Sequence, residues 1–151
     1  QISLEITNPG LIYGATVFTT LRVYHSSLNY PLTHWPQHCD RLKKSLIQFD
    51  WPFPDWQEMI DGAEQLLTHY PILRIVVFPD RKIWITGRLL PEDLALRQQE
   101  GIIGWVADSP LFNRSLADHK TGNYLTAWFL ANDYDHSLKL LLWLLVFGLF
   151  V

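Results

Sequence analysis

Between Leu11 and Tyr24 (LIYGATVFTTLRVY) β-branched and aromatic residues partly alternate with polar ones, which predicts a strand interrupted near Gly14. A polar turn, His25–Asn29, and a short extended return at Tyr30-Pro-Leu follow. The period then changes. Trp35, Cys39, Leu42, Leu46 and Phe49 recur at spacings of three and four, one apolar stripe on a helix that Thr33 is placed to cap. Pro36 is tolerated in its first turn, and Asp50-Trp-Pro-Phe-Pro54 ends it. Asp55 with Glu58 three residues on has the form of a capping box, opening a second helix with Met59, Ile60, Ala63, Leu66 and Leu67 on one face. Pro71 stops that helix. Leu73–Phe78 and Lys82–Leu90 predict two strands joined at Pro79-Asp-Arg as a hairpin.

Beyond the hairpin, Pro91–Leu96 reads as a short helix and Ile102–Ala107 as a strand. Asp108–Asp118 has linker punctuation, and His119–Asn132 a helical pattern with Leu125, Trp128 and Phe129 on one side. This order predicts an α+β domain over 1–110, a linker over 111–118 and the beginning of a second domain over 119–151.

Composition narrows the class. Hydrophobic residues make up 48% of the chain and aromatic residues 14%, enough for a packed core and unlike a disordered segment. A net charge of −3 gives no basis for nucleic acid or an anionic membrane as partner. No secretory signal opens the chain, and the single Cys39 excludes an internal disulfide and fits a reducing, cytoplasmic setting. Leu140–Val151 is an unbroken apolar run of twelve residues, against the about 20 that span a bilayer, and reads as a buried strand or helix. The six histidines are scattered; no HExxH, CxxC or glycine-rich phosphate loop occurs, so a metal or nucleotide site has little support.

Three segments carry candidate chemistry. In His119-Lys120-Thr-Gly-Asn-Tyr124 the lysine closes a linker and is followed by small and polar residues. A lysine amine forms a Schiff base with an aldehyde when it is held partly desolvated; the bland alternative is a solvated surface lysine. In His38-Cys-Asp-Arg41-Leu42, Arg41 offers a fork of donors matched to phosphate oxygens, or merely occupies the polar face of the helix. The third, Tyr13-Gly-Ala-Thr-Val-Phe18-Thr-Thr20-Leu-Arg22, stands out only through the resemblance described next; on the residues alone, Arg22 fits a structural ion pair and Tyr13 a buried strand tyrosine.

Taken in this order, the three segments resemble the class IV aminotransferases, which include branched-chain and D-amino-acid aminotransferases and aminodeoxychorismate lyase. The resemblance runs from about Leu4 to Ala131 and rests on Y-G-x-x-x-F, H-x-x-R-L and HKTGNYL. It implies an α+β fold of the D-amino-acid aminotransferase type, a small N-terminal α/β sandwich domain followed by the start of a larger β-rich domain. It implies pyridoxal 5'-phosphate (PLP) as cofactor, Lys120 as the residue that forms the internal aldimine and shuttles the proton, and Arg41 on the phosphate. Tyr13 and Arg22 then fall on the substrate side, for a small amino-acid-like substrate, and Arg88 and Arg114 where the family often has basic residues. A homodimer is implied in the same way.

Two departures qualify the resemblance. Thr19 stands where many aminotransferases have Glu, which leans towards aminodeoxychorismate lyase. The last glutamate in the chain is Glu100, whereas the family has one after the lysine to pair with the pyridine nitrogen. Together with the apolar end, this leads to the expectation that segments are missing around or after the tail. The alternative is a non-catalytic α+β module that binds a partner through Trp35, Trp51, Trp56 and Trp84.

Overall fold

Alternating apolar residues at Ile72–Val77 and Ile83–Arg88 form β2 and β3, an antiparallel hairpin closed by Phe78 N–H donating to Lys82 O at 3.0 Å. An earlier strand, β1 (Val17–Arg22), pairs antiparallel with β2 in the register Val17↔Val77 to Arg22↔Ile72, giving the order β1-β2-β3. The structure, a computed structural model, describes residues 3–101, 116–125, 127 and 128. The chain divides into two compact units: Gln1–Leu89 with Asp118–Asn123, and Leu90–Ala117 with Tyr124–Val151. In the second, α4 (Leu94–Glu100) carries an Asp93–Arg97 ion pair at 2.5 Å. The mixed α+β class expected from the sequence is the one observed.

Strand pairing sorts the side chains of the sheet onto two faces. Val17, Thr19 and Leu21 share a face with Leu73, Ile75 and Val77; Phe18, Thr20 and Arg22 share the other with Ile72, Arg74 and Val76. The first face builds the core with Leu42 and Leu46 of α2 (Trp35–Gln48) and Met59 and Ala63 of α3 (Trp56–Glu64), all buried. Asp55 caps α3 as expected, accepting from Gln57 N at 2.9 Å and Glu58 N at 3.2 Å. Phe18 and Thr20, on the opposite face, are buried as well, so β1 is covered on both sides.

Four local expectations change. Leu11 and Ile12 lie in a short helix, α1 (Pro9–Ile12), rather than a strand. Asn8 accepts from Gly10 N at 2.8 Å with Pro9 next in line, and this helix-start chemistry prevails over the weak alternation. Thr33 does not cap α2. Its hydroxyl donates to Ser27 O at 2.9 Å and accepts from Tyr24 N at 3.2 Å, and His34, at φ 52°, takes the cap position. The segment His119–Asn123 is not helical, with Thr121 in an isolated bridge to Val17, and helical backbone begins at Leu125. Trp35 is buried and Trp51 and Trp56 pack against the core, leaving Trp84, 46% exposed, as the one member of the proposed aromatic surface that presents a large exposed face. The expected strand at Ile102–Ala107, most of the linker and the apolar tail lie outside the described residues.

Candidate functional site

β1 is bonded to β2 along one edge, and its other edge receives the lysine segment. Phe18 N–H donates to Lys120 O at 2.8 Å, Gly122 N–H donates to Thr16 O at 2.8 Å, and Val17 bridges antiparallel to Thr121. The approach is close enough to require glycine. A Cβ on Gly122 would lie 2.8 Å from Gly14 O and inside contact distance of the Thr16 hydroxyl. Gly14 in turn sits at φ 63°, in the left-handed region, against the backbone of Gly122 and Asn123.

The Lys120 side chain lies on the Phe18 side, with Nζ 6.0 Å from the Phe18 ring centroid. The Arg74 guanidinium lies 3.9 Å from the same ring. The sequence reading missed Arg74. Its signal was there: a charged residue at an alternate position inside the otherwise apolar run Ile-Leu-Arg-Ile-Val-Val.

The helix α2 supplies the rest. His38, Arg41 and Ser45 lie three and four residues apart, so they follow one another along one face. His38 Nδ1 is 2.6 Å from the Thr19 hydroxyl, on a fully buried stretch of β1. Burial pushes the His38 pKa down to about 4, helped by the positive charges of Arg41, Lys120 and His34. The imidazole is therefore neutral at pH 7, and both Arg41 and Lys120 lie within its electrostatic reach. His38, to which the sequence reading gave no chemistry, thus feels the charges of both residues it favoured. Ser45, also buried, has its hydroxyl 3.0 Å from His119 Nδ1 and 3.2 Å from Arg41 O.

Arg41 is half-buried, and among the described residues no carboxylate or carbonyl pairs with its guanidinium. A charge partly withdrawn from water ordinarily has a partner, and among the described residues Arg41 has no anionic one.

The other candidates are placed elsewhere. Arg22 stands four residues from Phe18 along β1, about 13 Å of strand, and its guanidinium rests 4.8 Å from the Tyr24 ring centroid, leading away from Lys120. Tyr13 is 74% exposed on the turn after α1, which excludes the buried strand tyrosine. Arg88 is exposed at the end of β3, and Arg114 lies outside the described residues. No cluster of three metal-ligating side chains occurs among the described residues, and no helix there is long and apolar enough to cross a membrane.

No family model and no curated protein matches the sequence. The fold does match a solved one. A crystal structure provisionally described as a 4-amino-4-deoxychorismate lyase superposes with a TM-score of 0.61 at 26% identity, over 86% of this chain and 53% of that one. The chain thus has the fold of that lyase structure over the matched part, and spans about half its length.

Proposed function

We propose that this chain forms part of the active site of a PLP-dependent enzyme of the class IV aminotransferase type, acting on a small amino-acid-like substrate. The observation that carries the reading is that the lysine segment is bonded both to β1, through Lys120 O, and to the helix that carries Arg41, through His119 and Ser45, with both cations within electrostatic reach of His38. The residues fit two ends of the cofactor. Arg41, half-buried and without a described partner, is suited to the phosphate, and the Lys120 amine to covalent attachment at the aldehyde carbon. Bound PLP supplies an electron sink for a carbanion at the substrate Cα. Lys120 would hold the cofactor, and its amine would take and return the proton at the substrate Cα. His38, neutral and held at Thr19, leaves the positive charge of the site to Lys120 and Arg41. Assembly as a homodimer in the cytoplasm belongs to the same proposal.

A lyase reaction, elimination or C–C cleavage with the same cofactor, is the second reading. Thr19 in place of an acidic residue favours it, as does the similarity to a structure described as a lyase. A visible absorption spectrum with added PLP tests both readings at once. The expected result is a yellow band that survives dialysis, becomes fixed to the chain on borohydride reduction, and is missing in Lys120→Ala. A colourless parent protein would overturn the proposal.

A further inference from the structure

We propose that Ser45 and His119 are positioning residues that set the distance between Lys120 and Arg41; the inference rests on the function proposed above. The Ser45 hydroxyl has a single proton, and its geometry directs that proton to Arg41 O at 3.2 Å. In this proposal its lone pair accepts from His119 Nδ1–H across the 3.0 Å contact, so His119 is the Nδ1–H tautomer. The bond joins a buried hydroxyl, Ser45 being 2% exposed, to a half-buried ring that Phe49 steadies, with ring centroids 5.2 Å apart.

This contact joins the residue immediately before Lys120 to the helix that carries Arg41 one turn earlier. The other side of the lysine is already held, through Lys120 O and Gly122 N, on β1. Lys120 therefore leaves a backbone clamped between two elements, and the Ser45–His119 bond is the clamp that refers it to Arg41. A ligand attached at the amine and held by its phosphate at the guanidinium needs that separation to be correct. A ligand lacking the phosphate does not.

The experiment compares binding of PLP and of pyridoxal to the parent chain, Ser45→Ala, His119→Phe and His119→Asn, with borohydride trapping to count adducts on Lys120. Phe keeps the ring against Phe49 but removes the donor, whereas Asn restores an N–H near the Nδ1 position. The expected result is that Ser45→Ala and His119→Phe lower the preference for PLP over pyridoxal about five- to tenfold, the loss of one hydrogen bond. His119→Asn recovers most of it. In the unliganded parent, ¹⁵N NMR is expected to show His119 as the Nδ1–H tautomer, with resonances that shift in Ser45→Ala. A trapped adduct in the parent with an unchanged PLP-to-pyridoxal ratio in both Ser45→Ala and His119→Phe overturns the positioning role alone. Equal losses for both ligands, tracking a lower melting temperature, overturn it too. Absence of any adduct in the parent overturns both this role and the proposed function.

Discussion

His38 Nδ1 lies 2.6 Å from the Thr19 hydroxyl, a contact between the first turns of α2 and the middle of β1 that holds an imidazole largely out of water. With burial as the main cause, and Arg41, Lys120 and His34 adding to it, the His38 pKa falls from 6.5 to about 4. In the unfolded chain the residue binds its proton near pH 6.5, whereas in the folded chain it binds only near pH 4. The unfolded state thus holds more protons in that window, and stability falls as pH falls through it. Urea unfolding is expected to register a loss of roughly 2–3 kcal/mol from this residue between pH 7 and pH 4. His38→Gln should flatten that part of the profile. Parallel profiles in parent and variant would remove His38 as its source.

Gly122 packs tightly against Thr16 and Gly14, its N–H donating to Thr16 O at 2.8 Å. Gly122→Ala puts a methyl group against Gly14 O and the Thr16 side chain, neither at the free end of a flexible side chain. The segment must shift off β1, at an expected cost of about 2 kcal/mol or more. A lowered melting temperature together with faster amide exchange at Phe18 and Gly122 would report the displacement. Unaltered exchange at both would contradict it.

Arg41 bears on affinity rather than on stability. A guanidinium that forms two charge-assisted bonds to a phosphate contributes about 1.5–3 kcal/mol. Arg41→Ala is expected to weaken PLP binding about 10- to 100-fold while leaving pyridoxal binding nearly unaltered. Arg41→Lys should fall between, since an ammonium keeps the charge and loses the fork. Equal weakening of both ligands would place the phosphate elsewhere.

Thr20 is 1% exposed, and its hydroxyl has no hydrogen-bond partner among the described residues. A buried hydroxyl left without a partner is destabilising, so Thr20→Val, nearly the same shape, is expected to be neutral or to stabilise the fold by up to about 1 kcal/mol. A clear drop in the denaturation midpoint would reveal a partner for that oxygen.

What the sequence determined by itself was local. The α2 stripe, the Asp55 cap and the β2–β3 hairpin were legible because each depends on residues within a turn or a strand of one another, and burial of one face leaves a periodic trace. Lys120 and Arg41 were singled out from motifs, as residue types at a spacing. The tertiary structure decided how they are held. That Lys120 lies on a non-helical segment bonded to β1, that Ser45 meets His119 and Thr19 meets His38, and that Arg22 turns away towards Tyr24, depended on which elements pack together. His119 and Ser45 are 74 positions apart, and no periodicity carries information over that distance. Only the closing of α2 and the lysine segment around β1 brings those side chains within hydrogen-bonding range.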